Sequence, residues 1–210
     1  MIRILIGDDH TIVREGLKQI LAETPTMTVT GEAASGEEVL RCLRVDRYDV
    51  VLLDISLEDR SGLDVLKQIR AEWPALPVLM LTMHPEEEYA LRALRAGAAG
   101  YLTKKSALTE LVAAIHKVAR GGRYVSASLG EVLARALEPK TAARPHEGLS
   151  DREFQVFELL VAGRRLSEIA RHLGVSVKTV STHRARILAK MNMRTIAALV
   201  RYAVENRLVK

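Results

Sequence analysis

The stretch YDVVLLDISLEDRSG, residues 48–62, decides the fold of the first half of this 210-residue chain. Its apolar run, residues 50–53, ends directly at a carboxylate, Asp54. A short run of this kind is typical of a strand that a parallel sheet buries on both of its faces. The carboxylate therefore stands where a buried strand leaves the core, and its position there requires a chemical explanation.

Similar apolar runs recur throughout residues 1–125 and alternate with helical patterns. The predicted strands are residues 2–6, 27–30, 50–53, 77–81 and 99–102. The predicted helices are residues 11–23, 36–45, 62–72, 86–96 and 106–120. This alternation predicts the α/β class, here a flavodoxin-like, doubly wound sheet of five parallel strands with helices on both faces.

Charged and polar side chains follow four of the predicted strands. Asp8 and Asp9 end the first, Asp54 the third and Thr82 the fourth, and Lys104 follows the fifth. Because open α/β sheets bind ligands at the carboxyl ends of their strands, we expect these groups to gather at one edge. Clustered carboxylates suit Mg²⁺, and a carboxylate beside that ion can attack phosphorus. The pattern predicts that Asp54 is a nucleophile, with Thr82 and Lys104 binding phosphoryl oxygens.

Residues 1–123 resemble the receiver domain of two-component response regulators. The resemblance rests on the run ALRAGAAGYLTK and on six residues in the family's order: Asp8, Asp9, Asp54, Thr82, Tyr101 and Lys104. It implies that a sensor histidine kinase phosphorylates Asp54, that Thr82 and Tyr101 form a switch pair, and that Lys104 contacts the phosphoryl group. The Mg²⁺ ligands that it implies are Asp8, Asp9, Asp54 and the backbone carbonyl of Ser56.

The loop after Asp54 departs from the family pattern. This chain has Leu57-Glu58 where the family commonly has Met-Pro. Losing a proline removes a backbone restraint, so we expect a freer loop. Glu58 also adds a negative charge near the predicted site, which is expected to alter phosphoryl lifetime or metal affinity.

The composition excludes several classes of protein. No apolar run approaches the roughly 18 residues of a membrane span, and the opening MIRILIGDDH turns acidic too early for a signal peptide. Cys42 is the single cysteine, so a disulfide framework and a cysteine metal cluster are both excluded and a cytoplasmic location is expected. His10 and His84 are interpreted as cap and loop residues and not as zinc ligands.

The second half of the chain is more basic than the first. Residues 1–125 contain 16 Lys and Arg against 18 Asp and Glu, whereas residues 126–210 contain 15 against 8. This division favours a nucleic-acid-binding part attached to a different domain. Residues 124–144 are predicted to be a linker, with a short helix at 126–138 and a tether at 139–148 that is rich in Pro, Ala and Gly.

Residues 145–210 are predicted to form a domain of four helices. Ser150 and Glu153 form a capping box, and the helices are expected at about 151–162, 167–173, 177–191 and 195–206. The short second helix, a turn containing glycine and the longer basic third helix make a helix-turn-helix pattern. On the third helix the predicted buried stripe is Val180, Ile187, Leu188 and Met191. The predicted DNA contacts are Lys178, Thr179, Ser181, Thr182, Ala185 and Arg186.

The segment at 145–208 resembles the LuxR-type helix-turn-helix of the NarL/FixJ response regulators. The stretches LSDRE and EIARHLGVSVKTVSTHRARILAKM show this likeness. Together the two resemblances imply a transcription regulator that is not an enzyme beyond its own phosphoryl transfer and dephosphorylation. The implied partners are a sensor histidine kinase, double-stranded promoter DNA, a second copy of the chain when phosphorylated, and RNA polymerase.

Two other classes remain as alternatives. A phosphatase with an aspartyl nucleophile also uses strand-end carboxylates and Mg²⁺, but it needs a second Asp two residues after the nucleophile, where this chain has Ser56. A module that controls DNA without phosphorylation needs neither the acceptor Asp54 nor Lys104. Loss of phosphorylation with DNA binding preserved would favour this second alternative.

Overall fold

The computed structural model describes residues 1–83, 86–137, 144–206 and 208. The chain divides into two compact units, Met1–Glu138 and Pro139–Lys210. His84, interpreted above as a loop residue, lies outside the described residues, as do residues 139–143 of the predicted tether. Within the described part of the chain, no helix combines the length and the apolar character needed to cross a membrane.

The first unit contains the predicted sheet of five parallel strands. These are β1 (Ile2–Gly7), β2 (Met27–Ala33), β3 (Val50–Leu53), β4 (Val78–Thr82) and β5 (Gly100–Thr103). They lie in the order β2-β1-β3-β4-β5, and every neighbouring pair is parallel. This is the flavodoxin-like order, so the predicted fold class is confirmed. The order reverses between β1 and β3, which places a ligand-binding crevice at the ends of these two strands.

Helices cover both faces of the sheet. They are α1 (Thr11–Ala22), α2 (Gly36–Val45), α3 (Gly62–Glu72), α4 (Glu86–Arg95) and α5 (Ala107–Ala119). On one face, Ile4 and Ile6 of β1 pack with Leu17 of α1 and Leu111 of α5 in a single apolar cluster. Leu5 points the other way and is also fully buried. Burial on both faces explains why the strands are apolar throughout instead of alternating with polar residues.

A sixth helix, α6 (Ala127–Leu137), follows the sheet. The sequence predicted this helix but assigned it to a linker, whereas in the structure it packs against α4 of the first unit. Leu129 is completely buried, and the Ser126 hydroxyl accepts a hydrogen bond from its backbone N–H at 3.0 Å. Just before α6, Tyr124 forms an isolated β-bridge with Gly100. These contacts make α6 part of the first unit.

The second unit consists of α7 (Asp151–Val161), α8 (Leu166–His172), α9 (Val177–Lys190) and α10 (Ile196–Glu205). The predicted capping box of Ser150 and Glu153 is present at the start of α7. The unit has a core of its own, which includes Phe154, Phe157, Ile169, Val180, Ile187 and Leu199. The predicted all-α domain of four helices is thus confirmed.

The end of the predicted tether belongs to this second unit. Residues Pro145–Gly148 form one turn of 3-10 helix, whereas a tether had been expected through residue 148. His146 is buried, and its Nδ1 lies 2.6 Å from the hydroxyl oxygen of Tyr202 on α10. Its ring also packs near that of Phe154. Pro145 stands at the first position of the helical turn, where proline is common, and the buried His146 ring attaches the turn to α10. The Pro and Gly content of this segment therefore did not indicate a flexible tether.

Candidate functional site

The ends of four strands deliver the predicted site residues to one edge of the sheet. Hydrogen bonds between neighbouring strand ends fix the positions of these residues along the strands. The Asp54 backbone N–H donates to the Gly7 carbonyl at 2.8 Å, and that of Lys104 donates to the Thr82 carbonyl at 2.8 Å. Asp8, Asp54 and Thr82 are almost completely buried. The expectation that these groups gather at one edge is met by their geometry.

Lys104 bridges two of the carboxylates. Its Nζ lies 2.6 Å from Oδ2 of Asp8 and 2.8 Å from Oδ2 of Asp54. The second oxygen of each carboxylate accepts a backbone N–H, from His10 to Asp8 at 2.9 Å and from Ile55 to Asp54 at 2.7 Å. One ammonium therefore serves two acidic groups, and the charge of this trio is negative when both are ionised.

Burial is the main influence on the ionisation of this trio. It raises the pKa of the Asp54 carboxyl, and the neighbouring Asp8 raises it further, while Lys104 and a hydrogen bond from Thr82 lower it only in part. Burial by itself would lower the pKa of Lys104, but the Asp54 and Asp8 carboxylates more than offset it, so that the pKa of Lys104 is raised. Lys104 thus remains charged at neutral pH, and the ionised form of Asp54 is poorly stabilised by its surroundings.

The same edge offers ligands for a cation. One possible ligand atom from each of Asp8, Asp9, His10 and Asp54 lies within 4.8 Å of the others. Among the described residues, the buried Oδ1 atom of Asp9 has no hydrogen-bond partner. The Nδ1 atom of His10 lies 2.6 Å from it, as an ionic neighbour only when the ring is protonated. A buried carboxylate oxygen in a cluster of carboxylates, with an imidazole nitrogen as its close polar neighbour, fits a hard divalent cation.

The loop between β3 and α3 encloses the acceptor side of the site. Ser56 is half-buried and pairs with Ser61 in an isolated antiparallel bridge. Leu57 is buried and Glu58 is exposed, so the expected free loop is held on its inner side by Leu57. The role of the Ser56 carbonyl as a metal ligand stays a prediction.

Two residues of this region were missed as determinants of the site. A β-carbon on Gly62 would lie 1.8 Å from the backbone oxygen of Asp54, so only glycine allows α3 to begin this close to the acceptor. The carboxylate of Asp59 accepts hydrogen bonds from the backbone N–H groups of Gly36 and Glu37 at 2.8 and 2.9 Å. A glycine at the first position of a predicted helix was the available signal for Gly62. No sequence signal pairs Asp59 with residues more than 20 positions away.

The predicted switch pair occupies neighbouring strands. Thr82 ends β4 and is 1% exposed, and Tyr101 of β5 is completely buried. In the register of β4 and β5, Met80 pairs with Tyr101 and Thr82 pairs with Thr103. Tyr101 therefore lies two pairs deeper in the sheet than Thr82, with its ring inside the first unit.

In the second unit, α9 presents the predicted DNA contacts. Val180 and Ile187 of α9 are fully buried and hold the helix against α7 and α8. The side chain of Ser176 caps its first turn by accepting the N–H of Thr179 at 3.0 Å. Five of the six predicted contacts are exposed and Ser181 is half-buried: Lys178, Thr179, Ser181, Thr182, Ala185 and Arg186.

The buried side of α9 differs in part from the predicted stripe. Leu188 is half-buried, and His183 also lies on the inner side. Burial lowers the pKa of His183, and the charges of Arg152 and Arg186 lower it further. Among the described residues, its buried Nδ1 has no hydrogen-bond partner. The helical pattern could not predict this, because a histidine is ambiguous between surface and core.

Both structural units match known protein families. The family model described as the response regulator receiver domain matches residues 4–116. The family model described as bacterial regulatory proteins of the luxR family matches residues 147–203. The two matches fall in the two structural units and cover most of the chain.

Relatives match over almost the full length. Response regulator UvrY of Escherichia coli K12 is 35% identical over 209 residues, which cover 99% of this chain and 96% of UvrY. Response regulator GacA of Pseudomonas viridiflava is 37% identical over 210 residues, which cover 100% of this chain and 98% of GacA.

Solved structures of RcsB are also similar. The response regulator RcsB of Salmonella typhimurium matches with 25% identity and a TM-score of 0.72, over 97% of each chain. One RcsB structure is a complex with DNA, and another contains two RcsB dimers bound to two parallel DNAs.

Proposed function

Because this chain belongs to the two-component response regulators of the NarL/FixJ group, which are transcription regulators that bind DNA, we propose that phosphorylation of Asp54 controls its binding to DNA. The Lys104 ammonium, 2.6 Å from Asp8 and 2.8 Å from Asp54, carries this proposal. It joins a buried carboxylate nucleophile to an acidic cluster at one sheet edge. Neither a phosphatase nor a regulator independent of phosphorylation accounts for both this trio and the helix-turn-helix.

The phosphoryl transfer uses one oxygen of Asp54. This oxygen forms a bond to phosphorus while the bond from phosphorus to a histidine nitrogen of the sensor kinase breaks, and that nitrogen keeps the electron pair. Burial deprives the Asp54 carboxylate of hydration, which favours reaction with an incoming phosphoryl group. Lys104 then exchanges its contact with Asp54 for a phosphoryl oxygen. Hydrolysis of the resulting acyl phosphate at the same site returns the chain to its unmodified form.

The acidic cluster is assigned to Mg²⁺. When bound, the ion offsets negative charge between the Asp54 carboxylate and the phosphoryl oxygens. The assigned ligands are Asp8, Asp9, Asp54 and the carbonyl of Ser56. The buried Asp9 oxygen without a hydrogen-bond partner among the described residues supports this assignment. His10 is left out because Mg²⁺ prefers oxygen ligands to imidazole nitrogen.

Thr82 and Tyr101 transmit the modification to the surface. The hydroxyl of Thr82 hydrogen-bonds Asp54 in the unmodified site, and a phosphoryl group offers it a more highly charged acceptor. Movement of Thr82 toward that acceptor leaves room for the Tyr101 ring, which changes the surface formed by α4, β5 and α5. Because α6 packs against α4, the same movement reaches the end of the first unit.

DNA binding is assigned to the exposed face of α9. Lys178 and Arg186 supply positive charge for phosphates or guanine. The Thr182 hydroxyl donates to the Lys178 carbonyl at 3.0 Å, so it meets DNA through its oxygen lone pairs or its methyl group. Thr179, Ser181 and Ala185 complete the face. The RcsB complex with DNA supports this use of the second unit.

The assembly and the partners follow from the same proposal. Phosphorylation favours a homodimer on paired half-sites of promoter DNA, as the RcsB dimers on DNA suggest. The exposed face of α10, with Val204 61% exposed, is assigned to the dimer contact on DNA. We place the chain in the cytoplasm, with a sensor histidine kinase upstream and RNA polymerase downstream.

The acceptor is tested with acetyl phosphate and Mg²⁺. We expect the chain to gain one covalent phosphate, detected by intact mass, and Asp54→Asn to gain none. Asp64→Asn on α3 is the matched control, since it makes the same chemical change at an exposed carboxylate and is expected to be phosphorylated like the unmodified sequence. Undiminished labelling of Asp54→Asn would overturn the proposal.

A further inference from the structure

The loop that carries the acceptor is attached to the corner between β2 and α2, residues 33–37. Asp59 accepts two backbone N–H bonds there, from Gly36 at 2.8 Å and Glu37 at 2.9 Å. The third N–H of α2, that of Glu38, goes to the hydroxyl of Ser35. Asp59 therefore completes the N-terminus of a helix to which it does not belong, where a negative charge is also favoured by the helix dipole.

The same corner also holds the other acidic loop. The Ala33 carbonyl accepts the backbone N–H of Asp8 at 3.1 Å. One five-residue corner is thus bonded to the start of the loop with Asp8 and Asp9 on one side, and to the loop after Asp54 on the other. These two loops supply every group that has been assigned to the metal, so the corner adds a restraint on their separation to the direct bond between the Asp54 N–H and the Gly7 carbonyl.

Further contacts make the acceptor loop stiff enough to transmit this restraint. Its base is closed by the bridge between Ser56 and Ser61, and the Gly62 N–H donates to the Ile55 carbonyl at 2.7 Å. Next to Asp59, Arg60 donates to Gln68 of α3 at 3.2 Å. A β-carbon on Gly36 would lie 2.6 Å from Cγ of Arg60, so the loop tip is packed directly on the corner.

We propose that Asp59 is a positioning residue, which holds the Ser56 carbonyl at the distance from Asp8 and Asp9 that Mg²⁺ binding requires. The inference rests on the proposed function, because it concerns the metal assigned to that site. Mg²⁺ demands near-ideal geometry at short distances, so a loop that loses its outer attachment loses affinity even though each ligand remains. The loop has no proline at Leu57-Glu58 to restrain its backbone. The two hydrogen bonds of Asp59 provide a restraint in its place.

The test compares Asp59→Asn with Glu58→Gln. Each variant removes one negative charge from the same loop, but only Asp59→Asn also removes one of the two acceptors of the α2 amides, because its amide nitrogen cannot accept a hydrogen bond. We expect Asp59→Asn to weaken Mg²⁺ binding roughly three- to tenfold, below the 10–100-fold typical of direct outer-shell partners. Because Glu58 is exposed and solvent screens its charge, Glu58→Gln is expected to change the Mg²⁺ affinity less than about twofold, so that its effect falls on phosphoryl lifetime if it has one. Mg²⁺ binding is measured by calorimetry without a phosphoryl donor.

Amide hydrogen exchange at Gly36 and Glu37 is the second readout. At least one of these two amides is expected to exchange faster in Asp59→Asn, and both are expected to exchange at an unchanged rate in Glu58→Gln. Asp59→Ser, whose shorter side chain carries a single oxygen that does not reach both amides, is used if Asp59→Asn lacks a folded spectrum, and it is expected to weaken Mg²⁺ binding by at least the same factor. Equal Mg²⁺ affinity in all variants, or equal losses in Asp59→Asn and Glu58→Gln, would overturn the inference. Absence of Mg²⁺ binding in the unmodified sequence would instead refute the metal assignment itself.

Discussion

Among single residues, Asp54 combines the role proposed for it with a cost in stability. Burial and the nearby Asp8 raise its pKa in the folded chain above the ordinary value of 3.8, so ionisation of Asp54 opposes folding. A group with a raised folded pKa contributes stability below its unfolded pKa, and this contribution is lost as the pH rises through the folded pKa. At neutral pH the full cost is present.

We therefore expect Asp54→Asn to unfold at a higher temperature than the unmodified sequence at pH 7.5, in the absence of Mg²⁺. Lys104 keeps its bond to Asp8 in this variant, so one balanced pair remains. The gain is expected to shrink as the pH falls and to vanish below about pH 4, where both chains carry an uncharged side chain at this position. Thermal unfolding at several pH values measures the effect. A lower melting temperature of the variant at pH 7.5 would contradict the argument.

The residues of the site differ in how far the sequence could predict them. Asp8, Asp54, Thr82 and Lys104 were predictable because parallel strands end at a common edge, so a strand assignment alone brings them together. Asp59 was not predictable. Its partners depend on the path of an irregular loop, for which the sequence provides neither a period nor a partner position.

At the scale of elements, the start of α3 depends on the small size of Gly62. An added β-carbon would lie 1.8 Å from the Asp54 backbone oxygen, and backbone cannot move aside cheaply. We expect Gly62→Ala to destabilise the first unit by about 1–3 kcal/mol, as overpacking does, and to lower the rate of phosphorylation by acetyl phosphate.

Gly16→Ala in α1 is the matched control for Gly62→Ala. A β-carbon at Gly16 would have no atom within 4 Å, so this change is expected to stabilise the chain by roughly 0.5–1 kcal/mol through helix propensity. Chemical denaturation measures both variants. Equal stability of Gly62→Ala and the unmodified sequence would show that the start of α3 tolerates a side chain.

The exposed face of α9 supplies the next prediction. Thr182→Ala and Arg186→Ala are each expected to weaken operator binding, by about 1–3 kcal/mol where the side chain contacts a base edge. Loss of a phosphate contact weakens binding to all sequences alike and reduces the salt slope by about one. The ratio of operator to non-specific affinity, measured at several salt concentrations, separates these cases.

Arg194→Ala, in the exposed turn after α9, is the control for charge in this experiment. It removes the same charge as Arg186→Ala but is expected to leave the ratio of operator to non-specific affinity unchanged. If neither Thr182→Ala nor Arg186→Ala alters affinity or salt dependence, the assignment of this face is wrong.

The sequence predicted the helices and strands more successfully than it predicted how α6 and residues Pro145–Gly148 pack. The boundaries of the strands and of α1 to α5 lie within three residues of the predicted ones, and those of β3, α2 and α3 match them, because the apolar period and the positions of glycine and proline are local signals. The packing of α6 on α4 is a tertiary contact, and an amphipathic pattern does not reveal its partner. For the same reason, residues Pro145–Gly148 looked like tether although His146 anchors them to Tyr202.

At the scale of the whole molecule, the two units have different tasks and separate cores, so that control requires a coupling between them. In the proposed function, phosphorylation at Asp54 adds charge at one end of the first unit, and α6, which contacts α4, is the last helix of that unit along the chain. In the unmodified chain we expect the first unit to restrain DNA binding by α9. A complete switch from 1:99 to 99:1 needs about 5.5 kcal/mol of differential stabilisation, so we expect a partial response.

Three samples test this coupling on one operator: the fragment 139–210, the unmodified chain and the phosphorylated chain. The fragment and the phosphorylated chain are expected to bind about 5–150-fold more tightly than the unmodified chain, the usual range of allosteric coupling. The phosphorylated chain is also expected to be dimeric by sedimentation, because a dimer on paired half-sites gains from both α9 helices. Asp54→Asn treated with acetyl phosphate is the control and is expected to behave as the unmodified chain. Equal affinities and equal oligomeric states in all three samples would leave two tethered domains without a switch.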